Sequence, residues 1–459
     1  MIVIKLILGL SVPLLVGYCL VALILKKGTS SPALERLAWS FGLGTAFLTL
    51  TMFFLVLLKV PLTVVSVAVP CFVFVGIALS IILKQRYPVF NLSDLGLARL
   101  KTWQARVLFS AIVLKVLYVF FEALIKPVVA WDAWTSWALK SKMFFVDNVP
   151  LISFFRDHPV GIVDYPLHIP LLETWLYNCL GVANDQLVKV IFPLYFMCLL
   201  IIFYYGLRRL VPGLPALFFT FVLSALPFLA YHATIGYADF PVAFYYTSGL
   251  LLLYLWMEKQ DKSFLLLSVL FLGVAPWVKK EGILLLSVAF LISFLFLFFK
   301  RGTRGFREWG RPLIYFIVPV LISAPWAIFK KIIGISANVD QTPYLPAFDV
   351  LVQRLNGISR IFFEKMFFSG NWNIIWLVFV MVAVIYFRKI LASNSKYLFL
   401  SVFFNLGMLV AIYLFSHNYR YLLDGTTLNR NMLTFIPAVV LCVAVSVSLE
   451  VSKKRQEKS

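Results

Sequence analysis

Acidic, basic and aromatic residues are concentrated in residues 130–181 of a chain that is otherwise largely apolar. Asp132 lies where an apolar run ends. If this segment is helical, Asp132, Ser136 and Lys140 share one face, because residues four apart lie on the same side of a helix. An ionisable residue at membrane depth is a functional candidate by default. The simpler alternative is a helix at the membrane surface, with Asp132 as its N-cap and the nearby tryptophans in an interfacial belt.

A second acid, Asp164, lies in the sequence Asp-Tyr-Pro-Leu-His and precedes a predicted helix over residues 167–180. His158 and His168 flank this acid. Two histidines and an aspartate are common metal ligands, but their spacing matches no strong metal-binding pattern. The simpler alternative is that Asp164 marks the start of the helix, with Pro166 in the first turn.

Two further groups of charges lie at the ends of later apolar runs. Asp239 begins one run in the sequence Gly-Tyr-Ala-Asp-Phe-Pro, and Lys279, Lys280 and Glu281 separate two others. A pair of lysines suits an anionic substrate. The simpler alternatives are a helix cap at Asp239 and a solvated tight turn at residues 279–282.

Arg420 and Arg430 lie shortly before the last apolar run. Arginine suits phosphate, because its planar guanidinium can donate two hydrogen bonds at once. The simpler alternative is binding to lipid head groups. The sequence contains no glycine-rich phosphate loop, no serine-nucleophile motif and no paired-cysteine motif.

These residues are set in a chain of 459 residues that is 62% hydrophobic and 13% charged. Its repeated apolar runs, about 20 residues long, match the hydrocarbon core of a bilayer. Membrane-spanning segments must satisfy their own backbone hydrogen bonds, and continuous rather than alternating apolar runs favour helices. The sequence therefore predicts an all-α integral membrane protein. The five cysteines are scattered and form no metal-binding or disulfide pattern.

We predict about thirteen transmembrane helices. Their approximate ranges are 6–25, 38–58, 61–83, 107–124, 187–207, 214–231, 240–256, 264–277, 283–299, 313–329, 372–387, 397–415 and 432–449.

Lys and Arg recur in every second connector between these runs, which accounts for the formal charge of +21 and indicates cytoplasmic loops rather than a nucleic-acid partner. We therefore expect a multi-pass protein of the plasma (inner) membrane, with its N-terminus outside and its C-terminus in the cytoplasm. Residues 231–239 are then outside, and the longer outer loops are residues 130–184, 330–370 and 416–430. We expect amphipathic helices at the membrane surface in these loops.

In their order along the chain, the motifs resemble the GT-C superfamily of polytopic membrane glycosyltransferases. The resemblance is closest to bacterial members of the protein mannosyltransferase and aminoarabinose transferase-like branch, and it covers residues 107–459. It is carried by Trp131-Asp132-Ala133-Trp134, Trp137 to Lys142, His158-Pro159, Asp164-Tyr165-Pro166-Leu167, Tyr237-Ala238-Asp239-Phe240-Pro241, Lys279-Lys280-Glu281-Gly282 and Arg430.

The resemblance implies an inverting enzyme of cell-envelope glycosylation. Such an enzyme takes a sugar from a polyprenyl-phosphate carrier among the membrane lipids, on the non-cytoplasmic face, and transfers it to a hydroxyl of a glycan, lipid or protein acceptor. By position, Asp132 would be the general base, with Asp239 and Asp164 as further catalytic acids. The substrate-binding candidates are Lys140, Lys142, Tyr165, His168, Lys279, Lys280, Glu281, Arg420 and Arg430.

In the family the catalytic loop follows the first transmembrane helix, whereas here it follows the fourth. Residues 1–103 are therefore predicted to be additional N-terminal helices before a GT-C-like catalytic module at 104–459. The alternative function is a transporter or flippase of a lipid-linked or anionic substrate, for which broken helices would be expected in two matching halves. The sequence neither requires nor excludes a divalent metal cofactor.

Overall fold

The computed structural model describes residues 1–25, 31–85, 102–146, 163–301, 306–335 and 342–456. All regular secondary structure within these ranges is helical. The all-α part of the predicted fold class is therefore confirmed. His158, one of the two histidines predicted to flank Asp164, lies outside these ranges.

The helices begin and end as follows. They are α1 Ile2–Ile24, α2 Ala33–Leu57, α3 Val64–Gln85, α4 Trp103–Ile125, a π-helical turn Ala133–Trp137, α5 Ala138–Val146, α6 His168–Leu180, α7 Asp185–Val188, α8 Ile191–Arg208, α9 Gly213–Ser224, α10 Pro227–His232, α11 Asp239–Lys259, α12 Lys262–Val278, α13 Gly282–Arg301, α14 Phe306–Leu313, a 3-10 turn Ile314–Phe316, α15 Ile317–Ile333, α16 Phe348–Phe367, α17 Ile375–Ile385, α18 Phe387–Ala392, α19 Ser395–Phe415, α20 Tyr419–Leu423, α21 Leu428–Leu433 and α22 Ile436–Gln456.

Within the described ranges, 9 helical segments are long and apolar enough to cross a membrane, judged by length and composition. Each coincides with a predicted span, and a multi-pass membrane protein is thereby supported. The remaining predicted spans coincide with shorter apolar helices at Gly213–Ser224, Lys262–Val278, Ile375–Ile385 and Ile436–Ser448. Crossing by all thirteen stays a prediction.

The predicted span at 214–231 is divided in the structure. Helix α9 ends at Ser224, and α10 begins at Pro227 after Leu226 in an extended conformation. A proline disfavours helical geometry in the residue before it, so the break falls where the sequence places Pro227.

Helix α11 lies at the centre of the bundle. Every residue from Asp239 to Met257 is buried, and the helix packs against α8, α12, α13 and α22. Ser268 on α12 donates a hydrogen bond of 2.7 Å to the carbonyl oxygen of Gly249. A helix that is apolar and buried on all sides is a core helix, and α11 thus fixes the position of Asp239 at its first residue.

The N-terminal helices pack directly against the rest of the chain. Helices α1 and α2 cross so closely that a methyl group on Gly17 would lie 1.8 Å from the carbonyl oxygen of Ser40. Trp175 on α6 donates a hydrogen bond of 2.8 Å from its indole nitrogen to the carbonyl oxygen of Gly9. Helices α1 and α2 therefore contribute to the same packed core as α6. The predicted division at residue 103 stays a prediction.

The two ends of α11 carry different charges. Asp239 begins the helix and Lys259 ends it, so about 30 Å of helix separates them. Near Lys259, Arg209 binds both carboxylate oxygens of Glu35 at 2.6 Å each. Arg209 and Lys259 belong to connectors that we predict to be cytoplasmic, and their grouping agrees with the predicted alternation. Which end faces the cytoplasm stays a prediction.

The helices in the predicted outer loops are of two kinds. Helix α16 has a buried side at Arg354, Ile358 and Phe362 and exposed apolar residues such as Phe363, as expected for a surface helix. Helix α6 differs, because every residue from His168 to Tyr177 is buried. Over these residues, no face of α6 is in contact with solvent or lipid.

Candidate functional site

Arg430 joins two carboxylates that are far apart in the sequence. Its Nη1 lies 2.7 Å from Asp132 Oδ2, and its Nη2 lies 3.0 Å from Asp239 Oδ2. The Asp239 side chain is fully buried, whereas the Asp132 and Arg430 side chains each keep 20% of their surface exposed. One carboxylate of this trio is therefore fixed in the core, and the other borders the surface.

Lys279 extends this ion-pair network on the far side of Asp239. Its ammonium group lies 2.9 Å from Asp239 Oδ1 and 3.3 Å from Glu281 Oε1. We call Asp132, Asp239, Lys279, Glu281 and Arg430 the Arg430 cluster. Within it three carboxylates share two cations, so the cluster carries one net negative charge when all five groups are ionised.

A second ion pair lies beside the cluster. Lys280 Nζ is 2.7 Å from Asp164 Oδ2. The ring of Tyr165 links this pair to the cluster, since Lys280 Nζ lies 4.4 Å and Lys279 Nζ 5.5 Å from its centroid. The Tyr165 hydroxyl also donates a hydrogen bond of 3.4 Å to Glu281 Oε1. Two lysines over one aromatic ring give a cation–π arrangement that holds the two charged groups at a fixed separation.

Lys140 lies on the other side of the same aromatic stack. Trp137 stacks on Tyr165 with ring centroids 5.2 Å apart, and Lys140 Nζ lies 5.8 Å from the Trp137 ring. Lys140 is fully buried. Burial, opposed by the attraction of Asp164 and assisted by the repulsion of Lys280, lowers the pKa of Lys140 to about 7. A buried lysine in this range can exist in either protonation state near neutral pH.

The backbone around Asp132 is shaped by a wide turn and a close contact. The π-helical turn Ala133–Trp137 begins directly after Asp132, and such turns are frequent at functional sites. Gly236 has a φ of +83°, and a methyl group on it would lie 3.3 Å from the Cβ of Ala133. The following residue, Tyr237, accepts a hydrogen bond of 3.2 Å from the Asp132 backbone nitrogen. Tyr237 also places its ring 4.6 Å from the Arg430 guanidinium.

The carboxylates keep the cations of the cluster charged. Burial alone would lower the pKa of Arg430, but Asp239 and Asp132 outweigh it and the net pKa is raised. The pKa of Lys279 follows the same balance, because burial is outweighed by Asp239 and Glu281 and the pKa is again raised. Arg430 thus presents a fixed positive charge next to Asp132.

The simpler structural roles predicted for these acids are met only in part. Asp132 precedes the π-helical turn, but its side chain makes no capping hydrogen bond. The N-cap of α11 is Ala238 rather than Asp239, and the N-cap of α6 is Leu167 rather than Asp164. The predicted tight turn does form at Lys280 and Glu281, with the Gly282 backbone nitrogen donating to the Lys279 carbonyl oxygen at 2.9 Å, but the Lys279 side chain is buried. The side chains of the three aspartates are engaged in ion pairs.

Three predicted substrate-binding residues lie away from the Arg430 cluster. His168 is bonded within the core to Thr49 and Tyr195, at 2.8 Å each. Lys142 forms an ion pair of 2.5 Å with Asp185. Arg420 is exposed and lies against the ring of its neighbour Tyr421. The other predicted residues, namely Asp132, Lys140, Asp164, Tyr165, Asp239, Lys279, Lys280, Glu281 and Arg430, lie in or beside the cluster.

Tyr237 and Trp137 were not singled out from the sequence as site residues. Trp137 follows Asp132 by five positions, and Tyr237 precedes Asp239 by two. An aromatic residue this close to a candidate acid is the sequence signal that would identify both. Among the residues that the structure describes, no group of three or more His, Cys, Asp or Glu could hold a metal ion.

Comparison with known proteins identifies no relative of this chain. No family model matches it, and searches of curated proteins and of solved structures find no match.

Proposed function

We propose that the protein is a membrane glycosyltransferase of GT-C type that uses a polyprenyl-phosphate-linked sugar. The observation that carries this proposal is the junction of Asp132, Arg430 and Asp239 at one end of an apolar helix bundle. A carboxylate and a guanidinium in direct contact supply the two groups that such a transfer needs, a proton acceptor and fixed positive charge for a leaving phosphate. The resemblance of the sequence motifs to the GT-C superfamily points to the same chemistry.

The unequal exposure of the two aspartates suggests a division of roles. Asp239 is buried and is held by both Arg430 and Lys279, so it orients the cations. Asp132 is partly exposed and binds a single guanidinium nitrogen. A phosphate oxygen of the donor can replace Asp132 at that nitrogen, which frees the Asp132 carboxylate to accept a proton.

The transfer step follows from this exchange. Asp132 removes the proton of the acceptor hydroxyl as its oxygen forms a bond to the anomeric carbon of the sugar. The bond between that carbon and the phosphate oxygen breaks on the opposite face, and its electron pair leaves with the phosphate. Arg430 and Lys279 stabilise the phosphate charge. Attack opposite the leaving group inverts the anomeric configuration.

The proposal includes the placement of the site on the non-cytoplasmic face of the plasma membrane, in a bundle of thirteen spans. Basic connectors at the opposite end of α11 support this orientation through the positive-inside rule. A donor delivered across the membrane on a lipid carrier would reach Arg430 from the bilayer, so no soluble nucleotide sugar is needed.

Reconstitution separates this function from transport. The purified protein in proteoliposomes would be given radiolabelled polyprenyl-phosphate sugars of several kinds, together with a membrane extract as acceptor. We expect label in a covalent product whose anomeric configuration, measured by NMR, is opposite to that of the donor. Movement of an intact lipid-linked sugar across the bilayer without any covalent product would overturn the enzyme assignment and support the transporter alternative.

A further inference from the structure

A buried hydroxyl on an N-terminal helix lies between two segments that lead into the site. Thr49 on α2 is fully buried, as are His168 and Trp277. The Thr49 Oγ1 atom lies 2.8 Å from His168 Nδ1 and accepts a hydrogen bond of 3.0 Å from Trp277 Nε1. One side chain of α2 therefore contacts both α6 and α12.

With a neutral imidazole at His168, one arrangement of protons satisfies all of these bonds. The Thr49 hydroxyl donates its hydrogen to the carbonyl oxygen of Ala46 at 3.1 Å, so its oxygen accepts from Trp277 and from His168 Nδ1–H. His168 Nε2 then lacks a hydrogen and accepts one from the Tyr195 hydroxyl at 2.8 Å. Since a hydroxyl oxygen has two lone pairs, Thr49 is used to its full capacity.

Both partners of Thr49 lie close in sequence to the charged residues of the site. His168 is the first residue of α6 and follows Asp164 by four positions. Trp277 lies in the last turn of α12, three positions before Lys280. Asp164 and Lys280 form the 2.7 Å ion pair beside the Arg430 cluster. The two chain segments that meet in this pair are thus both hydrogen-bonded to one hydroxyl.

We propose that Thr49 is a positioning residue for the candidate site. Its hydroxyl sets the spacing between residues 164–168 and residues 277–280. It thereby holds the Asp164–Lys280 pair and, through the adjoining Lys279, one side of the Arg430 cluster. This assigns the N-terminal helices a role in the geometry of the site. The assignment concerns geometry, and it holds whichever reaction the site performs.

A purely space-filling role for Thr49 makes a different prediction. Thr49→Val keeps the shape and the branching of the side chain but removes the acceptor for two buried N–H groups. An unsatisfied buried donor carries a large desolvation penalty, so the segments around His168 and Trp277 would shift to find other partners. If Thr49 only fills space, valine would replace it without such a shift.

Crosslinking between the two segments measures their spacing directly. The variant Asp164→Cys/Lys280→Cys would be treated with a short bis-methanethiosulfonate reagent, and the joined peptides would be quantified by mass spectrometry. The rate is compared among backgrounds carrying Thr49→Val, Thr49→Ser or Thr45→Val. Thr45 lies on the same helix and contacts Tyr195 and Tyr245 at 3.2 and 3.0 Å. A second cysteine pair, Lys142→Cys/Asp185→Cys, reports on an ion pair beside the other end of α6, where the Tyr177 hydroxyl donates to Asp185.

We expect Thr49→Val to slow the crosslinking of positions 164 and 280 by at least about tenfold, because it leaves two buried donors unsatisfied and one alone corresponds to about that factor. Thr49→Ser restores the rate, and Thr45→Val has a smaller effect. The 142–185 pair reacts at the wild-type rate throughout. An unchanged 164–280 rate in Thr49→Val overturns the proposal. If Thr49→Val does not fold, Trp277→Phe removes the indole donor together with part of the ring that packs on Phe53 and Trp326, and it must also slow the reaction. These rates do not depend on sugar transfer, so failure of the proposed enzyme function leaves them interpretable.

Discussion

Two arginines, Arg209 and Arg430, hold carboxylates at opposite ends of the helix bundle. Arg209 forms a bidentate pair with Glu35, at 2.6 Å to each oxygen, and lies over the rings of Trp39 and Phe264. Arg430 instead divides its two terminal nitrogens between Asp132 and Asp239. The first arrangement is a closed pair. In the second, Asp239 accepts from Nε at 3.4 Å and from Nη2 at 3.0 Å, whereas Asp132 contacts Nη1 alone.

The two ends also differ in whether a ligand could replace a carboxylate at the arginine. The Glu35 and Arg209 side chains are only 1% and 12% exposed, so a ligand could not replace either without opening the core. Asp132 and Arg430 are each 20% exposed, and the buried Asp239 holds Arg430 in place when Asp132 is released. The same residue types therefore form a structural clamp at one end and a candidate active site at the other.

Removing each arginine would test this contrast most strongly. We expect Arg209→Ala to lower the free energy of unfolding by about 3–5 kcal/mol, because it leaves Glu35 as an unpaired buried charge. Arg430→Ala should lower it less, since Asp132 can reach solvent and Asp239 keeps Lys279. Thermal unfolding of the two variants in detergent would show the order, and a larger loss in Arg430→Ala would contradict the assignment of a clamp and a site.

Glu35 and Glu173 are both buried, but their hydrogen-bond partners differ. Glu173 is bonded to the Ser141 hydroxyl at 2.5 Å rather than to an arginine, and burial raises its pKa from 4.5 to about 8. The folded state therefore holds a proton that the unfolded state releases between these values. As pH rises through this window, the free energy of unfolding should fall by up to about 1.4 kcal/mol per pH unit.

The variant Glu173→Gln removes this proton exchange. We expect its free energy of unfolding to change less steeply with pH than that of the wild type, so that the variant becomes relatively more stable from pH 4.5 to 8. Thermal unfolding in detergent at several pH values would measure the slope. Identical slopes in the two proteins would show that Glu173 is ionised in the folded state.

Tyr237 allows a more specific test of how Asp132 is held beside Arg430. Tyr237→Phe keeps the ring against Arg430 but removes the hydroxyl that accepts from the Asp132 backbone nitrogen. We expect a loss of about 1 kcal/mol, expressed mainly as a lower rate of sugar transfer because Asp132 is less well placed. Tyr421→Phe, beside the exposed Arg420, is the matched control and should transfer at the wild-type rate. Equal rates for both variants would mean that this bond does not position Asp132.

The placement of the site residues at one end of the bundle could be predicted from the sequence, but their pairing could not. The alternation of basic connectors predicts that Asp132, Asp239 and Arg430 lie at the same end of the bundle, because consecutive spans reverse direction. Local patterns cannot specify which acid meets which base, since those contacts depend on how loops far apart in the sequence pack together. The pairing of Arg430 with two acids therefore emerged only from the structure.

Other features could not have been predicted because their residues have no distinctive local pattern. Thr49 is one of several hydroxyl residues in an apolar span. Its role as a positioning residue depends on hydrogen-bond partners from two helices that are far from it in sequence. His168 was grouped with Asp164 because the two are close in sequence, yet α6 begins at His168 and carries this residue into the core. Lys142 and Arg420 likewise have charges suited to a phosphate, and only packing directs them elsewhere.

The central claim is that Asp132 accepts the proton of the acceptor during sugar transfer. Its most direct test compares Asp132→Asn with Asp185→Asn in single-turnover transfer from a polyprenyl-phosphate sugar, at equal amounts of folded protein. Asp185 is a suitable control because its side chain is 23% exposed and forms an ion pair with Lys142. We predict that Asp132→Asn slows transfer by at least about a hundredfold while Asp185→Asn leaves it unchanged. Transfer by Asp132→Asn at the wild-type rate would contradict the account.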